Sequence, residues 1–265
     1  MNTPGPATRR ARVLLAYDGS AFHGFAANEG VRTVAGELVN ALSLIARTPV
    51  EIVGAGRTDA GVHGWGQVVS CDLPVDIDLT SLPRRLTKMC APGIVVRAAA
   101  WCEDPEFNAR FSATWRHYRY TILNEPVPDP FLASTSWHVG HHLDLPLMHL
   151  ACDPLYGQHD FSAFCRKPKV APGDDAPSMV RRVTHAVFTE HRSERGGRII
   201  RFEVRANAFC HQMVRSIVGT LVDVGLHRIA PGSISSILRS GSRGEAGQVA
   251  PPQGLTLWEV GYETS

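Results

Sequence analysis

The chain has 265 residues, of which 44% are hydrophobic and 20% charged, with a net charge of +2. This length allows one large domain or two smaller ones, and the composition excludes disordered and collagen-like chains. The basic N-terminal residues lack an apolar signal core, and no stretch reaches the roughly 18 apolar residues of a spanning helix. We therefore expect a soluble, cytoplasmic protein without a membrane partner.

The basic residues are almost all arginines. Of 27 cationic residues, only Lys88, Lys167 and Lys169 are lysine. A coding bias toward arginine is the simpler explanation of this excess, and a use of guanidinium forks to hold phosphate or carboxylate is the functional alternative. A net charge near zero does not exclude nucleic acid as a partner, because binding depends on a local basic patch.

The six cysteines form no CxxC pair and show no regular spacing. In a chain of this size without a signal sequence, such cysteines are typically reduced thiols rather than a disulfide framework. We expect them to be mostly buried.

The first half of the chain has the pattern β-α-β-β, followed by a helix and a strand. An apolar run that starts at Arg12 and ends at the turn signal Asp18-Gly19 predicts a strand. Apolar residues at helical spacing predict a helix from Thr33, as N-cap, to Arg47. Further strands are predicted over 50–53, 67–71 and 94–100, a short helix over 82–89, and a glycine-rich loop over 54–66.

The second half repeats this pattern. Strands are predicted over 115–123, 137–142, 183–191, 199–205 and 255–262, and a short helix over 234–238. The longest helix is predicted from Ala208, with Phe209, Met213 and Ile217 on its buried face. The chain is thus predicted to be α+β, with two similar halves (1–106 and 107–265), each a mostly antiparallel sheet with helices on one face.

The densest polar motif lies in the glycine-rich segment from Gly54 to Gln67. Its glycines allow a ligand to approach the backbone closely, and Arg57, Asp59 and His63 lie among them. A dinucleotide-binding turn is excluded, because the glycine spacing is wrong and a strand rather than a helix follows. A purely structural loop remains an alternative.

Residues 56–63, Gly-Arg-Thr-Asp-Ala-Gly-Val-His, resemble the active-site signature of the bacterial tRNA pseudouridine synthase A family. The likeness extends over nearly the whole chain in the family's order: 17–24, 33–38, 107–113 with 116–120, 207–219 and 250–255. The chain departs from the family where Gly24-Phe25-Ala26-Ala27-Asn28 stands instead of the usual Gly-Trp followed closely by Gln.

The resemblance implies a pseudouridine synthase fold with its active-site cleft between the halves. It implies an isomerase that converts uridine to pseudouridine at positions 38, 39 and 40 of the tRNA anticodon stem-loop. The family works as a homodimer with RNA lying across both subunits. The reaction breaks the N-glycosidic bond and rejoins uracil to ribose through carbon 5, so nothing is oxidised, and we expect no cofactor and no metal.

The resemblance also assigns roles to individual residues. Asp59 is the catalytic carboxylate, a nucleophile or a proton acceptor at the sugar. Arg215 is the cation that lowers its pKa, on a helix that also carries His211 one turn earlier. Tyr118 stacks on the target base. The other predicted substrate-binding residues are Arg57, Leu255, His63, Arg110 and Arg116. Leu255 corresponds to an apolar wall of the pocket, and Arg57 is a candidate either to fill the space left by the flipped base or to hold the flipped nucleotide.

Two sets of basic residues are candidate RNA surfaces. One is the run of seven arginines from Arg181 to Arg205, and the other is an N-terminal arm with Arg9, Arg10 and Arg12. Such residues on alternating strands are equally typical of a solvated face.

Two other functions remain open. Six potential ligands between His138 and His159 suggest a metal-dependent enzyme, although their spacing fits no common zinc pattern. A non-catalytic RNA-binding module would keep the fold without the reaction. The intact Arg57-Thr58-Asp59 block favours the isomerase.

Overall fold

The computed structural model describes residues 7–167, 175 and 177–263. The chain divides into two compact units, Met1–Thr114 with Leu257–Ser265, and Trp115–Thr256. Both contain helices and mostly antiparallel strands, so the predicted α+β class is confirmed. The predicted domain boundary between residues 106 and 107 stays a prediction. In the described ranges, no helix is long and apolar enough to cross a membrane.

The first unit is built around the strand β1. Its elements are β1 (Thr8–Tyr17), α1 (Val34–Ala46), β2 (Ile52–Gly54), β3 (His63–Pro74), α2 (Leu82–Cys90), β4 (Ile94–Trp101) and most of β10 (Leu255–Tyr262). β1 pairs antiparallel with β3 and β4, β2 pairs with β3, and β10 lies beside β3. Buried residues of β1 such as Val13 and Leu15 pack in one core with those of α1 and α2.

Helix α1 begins as its sequence predicts. Thr33 is the N-cap, and its Oγ1 accepts a hydrogen bond from the backbone N–H of Gly36. The cap satisfies an amide that has no partner within the first turn of the helix. Leu38 and Leu42 lie on the buried face, so the predicted helix and its cap are both confirmed.

Two β-bulges lie on either side of β1. In β3, Leu15 pairs with Gln67 but Tyr17 pairs with Gly64, so β3 carries one extra residue at Trp65-Gly66. In β4, Leu14 pairs with Ala98 and Leu15 with Val96, so Arg97 is extra. A bulge changes the face to which the following side chains point. β2 includes Gly54 and β3 starts at His63, so the prediction of a loop over all of 54–66 was wrong for its first residue and its last four.

The second unit is built on a sheet with the strand order β5-β9-β8-β7, in which neighbouring strands are antiparallel. The first two residues of β5 belong to the first unit. Its elements are β5 (Ala113–Leu123), β6 (Trp137–His138), α3 (Leu145–Leu150), β7 (Gly157–Asp160), β8 (Val180–Arg192), β9 (Arg198–Ala206), α4 (Met213–Gly225) and α5 (Ser233–Ser240). β6 pairs parallel with β5. The predicted strand over 137–142 is only two residues long, and α3 was not predicted.

Helix α4 corrects a prediction. It begins at Met213, five residues after the predicted start, because Gln212 has a left-handed backbone conformation with φ 64°. Phe209 and His211 therefore precede the helix and do not lie on its face. At 13 residues α4 equals α1 in length, so it is not longer than every other described helix.

The six cysteines are free thiols, five of them buried and Cys210 half-buried. This confirms the prediction of mostly buried, unpaired cysteines. The predicted N-terminal arm was wrong, because Arg9, Arg10 and Arg12 lie within β1. The arginines at 9 and 10 also bind the protein itself: Arg10 forms two hydrogen bonds with the carboxylate of Asp72, and Arg9 donates to a carbonyl.

Candidate active site

The loop that carries Asp59 connects β2 to β3 and is held mainly through its backbone. The side-chain amide of Gln67, which is fully buried, accepts from the N–H of Gly56 at 3.4 Å and donates to its carbonyl at 2.7 Å. The N–H of Val62 donates to the Asp59 carbonyl at 3.1 Å. These bonds fix the path of the loop on both sides of Asp59.

Thr58 attaches the same loop to the end of β1. Its buried hydroxyl lies 2.9 Å from the hydroxyl of Tyr17, and its carbonyl accepts from the N–H of Phe25 at 3.0 Å. Burial raises the pKa of Tyr17 to about 12, although hydrogen bonds to Thr58 and Gln67 oppose the shift. Tyr17 therefore stays neutral near pH 7, and its hydroxyl remains available to hold the loop.

The turn after β1 packs closely against this loop, and glycine is required at two positions. A Cβ at Gly19 would lie 2.1 Å from the carbonyl oxygen of Val62. Gly24 has φ +98°, and a Cβ there would lie 3.0 Å from the Thr58 carbonyl oxygen. Only a residue without a side chain permits this approach, so the turn and the Asp59 loop fit each other through their backbones.

His63 belongs to this packing. It is buried, and its Nδ1 lies 3.1 Å from the N of Gly19 and 3.2 Å from the Asp18 carboxylate. Partial burial raises the pKa of Asp18, but hydrogen bonds from Ser20 and the charge of His63 outweigh it, so the pKa is lowered overall. These contacts place His63 where it supports the turn.

The loop presents its two charged residues differently. Asp59 is half-buried, whereas Arg57 is exposed. The bonds made by the loop backbone, by Gln67 and by Thr58 fix the path of the chain on both sides of Asp59. The first unit also contains Arg110, which is exposed and lies over the ring of Phe111.

In the second unit, β5 positions two of the predicted substrate-binding residues. Tyr118 is buried, and its ring meets that of Phe209 edge-on at a centroid distance of 4.9 Å. Arg116, two residues earlier, donates from Nη1 to the carbonyl of Asn207 at 2.9 Å. Both contacts join β5 to the segment between β9 and α4, which the structure shows to be irregular.

Arg215 lies in the first turns of α4. Its Nε donates to the carbonyl of Ala250 at 2.7 Å, and its own carbonyl accepts from the N–H of Ala250 at 3.0 Å. The next carbonyl, of Pro251, accepts from the hydroxyl of Tyr120 at 2.7 Å. The guanidinium is thus oriented by a doubly bonded backbone segment, and Leu255 lies buried a few residues further along it.

The helix α4 and the backbone segment that includes Gln248 and Ala250 approach each other closely at Gly219, one turn after Arg215. A Cβ at this position would lie 1.8 Å from the carbonyl oxygen of Gln248. No larger residue fits without a shift of the backbone, so Gly219 sets the distance between α4 and the segment that binds Arg215.

The arginine run does not behave as one surface. Arg198 is largely buried and donates to Glu190, Asn124 and a backbone carbonyl, so it holds the second unit together. Arg195 is exposed, binds Asp129 and covers the ring of Phe131. The remaining five arginines of the run stay candidate RNA contacts, and of these Arg182 and Arg192 are exposed.

The histidine-rich segment forms no metal centre in the described ranges, where no group of three potential ligand side chains is placed to hold an ion. The Nε2 of His138 lies 2.7 Å from the carbonyl oxygen of Glu125, and that of His159 lies 2.6 Å from that of Tyr156. These rings hydrogen-bond to the backbone.

Comparison with known proteins identifies the family. A family profile described as tRNA pseudouridine synthase matches residues 151–263. The chain is 37% identical to tRNA pseudouridine synthase A of Thermosynechococcus vestitus over 99% of this chain and 89% of that protein. It is 34% identical to the enzyme of that name from Bacillus subtilis, over 96% and 99%. The chain belongs to the tRNA pseudouridine synthase A family.

A third relative, the tRNA pseudouridine synthase A of Gluconobacter oxydans, is 38% identical over 96% of this chain and 90% of that protein. Membership of this family of isomerases agrees with the class predicted from residues 56–63.

Several positioning residues were missed from the sequence. Tyr17, Thr58 and Gln67 fix the Asp59 loop, and Asn207 and Ala250 supply the carbonyls that bind Arg116 and Arg215. All of these except Gln67 lie in the segments that resemble the family, and that resemblance was the sequence signal by which they could have been found. Their roles depend on partners that only the fold identifies.

Proposed function

We propose that this chain isomerises uridine to pseudouridine in the anticodon stem-loop of tRNA, at positions 38, 39 and 40. The observation that carries the proposal is the Asp59 loop. Its backbone is fixed by Gln67, Thr58 and the turn after β1, so a half-buried carboxylate is held in a defined place. Family membership supplies the substrate class.

The reaction fits a carboxylate without a cofactor. The bond between N1 of uracil and C1′ of ribose breaks, the freed uracil turns, and a new bond forms between C5 and C1′. The proton on C5 leaves, and N1 takes up a proton, so substrate and product are isomers. We propose that the carboxylate of Asp59 is the nucleophile and that it attacks the sugar while the uracil is detached.

Asp59 must remain ionised in a site that excludes water. A neighbouring cation favours the charged form of a carboxylate. We propose that Arg215 is this cation, in agreement with the family resemblance. The bond from its Nε to the Ala250 carbonyl would hold the guanidinium in one orientation.

A paired uridine must leave the helical stack before Asp59 reaches it, at a cost of a few kcal/mol. We propose that Arg57, exposed at the edge of the loop, fills the vacated space, and that Tyr118 stacks on the flipped base. Leu255 would form an apolar wall of the base pocket. His63, Arg110 and Arg116 complete the proposed set, and the buried position of His63 favours an action through the turn rather than on RNA.

We further propose a homodimer with RNA across both subunits, as the family resemblance implies, and a cytoplasmic location. The free thiols and the proposed tRNA substrate support this location. The exposed arginines of the run from Arg181 to Arg205 are proposed to contact phosphates, which makes the affinity for tRNA fall with salt.

The test is tritium release from tRNA labelled at C5 of uracil, since this hydrogen is lost only when the C5–C1′ bond forms. Wild type should release tritium, and Asp59→Ala should bind tRNA without releasing it. Asp76→Asn, an exposed acid in the same unit, is the matched control and should release tritium normally. No release by wild type, or full release by Asp59→Ala, would overturn the proposal.

A further inference from the structure

A second concave site lies within the first unit, on the sheet face that β1 turns away from its helices. Val13 and Leu15 face the helical core, so Arg12 and Leu14 point to the opposite face. A pocket of about 560 Å³ opens there. We call it the tryptophan pocket; the lining residues that matter below are Arg12, Trp65, Arg97, Ala98, Trp258 and Glu259.

One wall of the tryptophan pocket is a stack of planar groups. The guanidinium carbon of Arg97 lies 4.3 Å from the ring centroid of Trp65, and Nη1 of Arg97 donates to the Trp65 carbonyl at 2.9 Å. Trp65 in turn stacks on Trp258, at a centroid distance of 5.8 Å and an interplanar angle of 20°. The stack is thus assembled before any ligand arrives.

The two β-bulges create this stack. Alternation along β3 would place Trp65 on the core side with Gln67, but the extra residue at Trp65-Gly66 turns it to the outer face. Arg97 is the extra residue of β4 at the same level of the sheet. Gly66 allows β10 to approach, because a Cβ there would lie 2.3 Å from the carbonyl oxygen of Trp258.

Charge and space in the pocket favour an anionic, planar ligand. In the described part of the chain, the guanidinium of Arg12 makes no hydrogen bond or ion pair. On the same strand, Arg9 donates a hydrogen bond to a backbone carbonyl and Arg10 donates to the carboxylate of Asp72. Trp65 remains 46% exposed despite its stacking. The floor is formed by small residues such as Ala98, and Glu259 is the one acid among the lining residues.

We propose that the tryptophan pocket binds a nucleotide of the tRNA other than the reacting uridine. The base would stack against the layer of Trp65 and Arg97, and Arg12 would bind a phosphate. Trp65 is six residues from Asp59, so the two lie within about 20 Å of each other. This distance corresponds to about six stacked nucleotides of one strand at most. This inference rests on the proposed function, since it assumes an RNA substrate.

The test measures the dissociation constant for a tRNA transcript and the steady-state constants in parallel. Arg12→Gln removes the phosphate contact, Trp65→Ala removes the stack, and Ala98→Leu fills the floor while leaving both in place. Trp65→Phe keeps an aromatic surface and should recover most of the binding. The control is Arg84→Gln, an exposed arginine on α2.

We expect Trp65→Ala to raise Kd between about fivefold and a hundredfold, the range for one stacked base. KM should rise with it, while kcat at saturating tRNA stays within about twofold. Arg12→Gln and Ala98→Leu should each raise Kd by at least about threefold, and Arg12→Gln should also reduce the salt dependence of binding.

Three outcomes separate the possibilities. An unchanged Kd in both Arg12→Gln and Ala98→Leu overturns the inference, whatever Trp65→Ala does to folding. A variant that becomes monomeric in sedimentation while its subunit binds tRNA normally shows that the pocket holds a second copy of the chain, and this also overturns it. If wild type binds tRNA through the pocket but releases no tritium, the inference stands and the proposed function fails.

Discussion

The two units hold their candidate catalytic residues in different ways. In the first unit, the Asp59 loop is fixed by its backbone, by the amide of Gln67 and by the hydroxyl of Thr58. In the second unit, the candidate residues themselves make the structural bonds, since Arg116 and Arg215 donate to the carbonyls of Asn207 and Ala250. Neighbouring residues thus fix the loop around Asp59, whereas the side chain of Arg215 itself makes a structural bond.

The largest expected effect tests this difference directly. Asp59→Asn should lower pseudouridine formation by roughly a thousandfold or more, the scale seen when a nucleophile is removed. Its Tm should fall by less than that of an Arg215 variant, because asparagine keeps the size and shape of the aspartate side chain and still makes hydrogen bonds. Arg215→Met should also lose most activity, but its Tm should fall by about 5 °C, because the Ala250 carbonyl is left without this donor.

The matched control for Arg215 is Arg228→Met. Arg228 follows the end of α4, is 58% exposed and pairs with Asp223, and an exposed pair contributes about 1 kcal/mol at most. Tritium release and differential scanning calorimetry check all three variants. Equal losses of Tm in Asp59→Asn and Arg215→Met would contradict the comparison.

A smaller effect is expected where the loop itself is loosened. Gln67→Met keeps the volume of a fully buried side chain but removes both bonds to Gly56, so the free energy of unfolding should fall by about 2–3 kcal/mol. kcat should fall by about tenfold, since the carboxylate is held less firmly. Gln158→Met, at an exposed position of β7, should change neither. Denaturant unfolding and tritium release measure the two quantities, and an unchanged kcat would show that Gln67 does not position Asp59.

The link between Tyr17 and the loop has a signature at alkaline pH. The folded pKa of Tyr17 is about 12 against 10.0 for its ordinary value. Its contribution to stability is therefore complete below pH 10 and is lost as the pH rises toward 12, on the order of 2 kcal/mol in all. Tyr17→Phe has no such group, so the difference in unfolding free energy between wild type and variant should narrow between pH 10 and 12. A constant difference over this range would show that the tyrosine is not protected by burial.

The smallest effect concerns a single hydroxyl. Thr58→Val removes the partner of Tyr17 at nearly constant volume and should cost about 1–2 kcal/mol of unfolding free energy. Thr58→Ser keeps the oxygen and should cost less than about half of that. Combined with Tyr17→Phe, the valine variant should add little, because both remove the same bond. Full additivity of the two losses would show that the hydroxyls stabilise the fold independently.

Local signals in the sequence were sufficient for some elements. The helix over Val34–Ala46 and its cap at Thr33 were predicted, and β10 ends where its alternating pattern ends. A cap and an apolar stripe are interactions of near neighbours, so a single segment contains all the information. The same holds for the block around Asp59, which was recognised from eight consecutive residues.

The errors arose where the conformation depends on distant partners. The start of β3 at His63 requires a bulge opposite β1, which alternation within β3 does not reveal. The helical spacing of apolar residues continues back to Phe209, but the left-handed backbone of Gln212 separates Phe209 from the helix. The supporting contacts of Asp59 and Arg215 join residues far apart in the chain, 41 positions for Tyr17 and Thr58 and 131 for Tyr120 and Pro251.

The close approach at Gly219 bears on how variation in this chain should be interpreted. Every substitution there forces the backbone at Gln248 to move, and with it the segment that orients Arg215. In saturation mutagenesis, position 219 should tolerate as few replacements as Asp59. Mutational intolerance alone would therefore classify Gly219 with the residues that touch RNA, although it carries no side chain with which to do so.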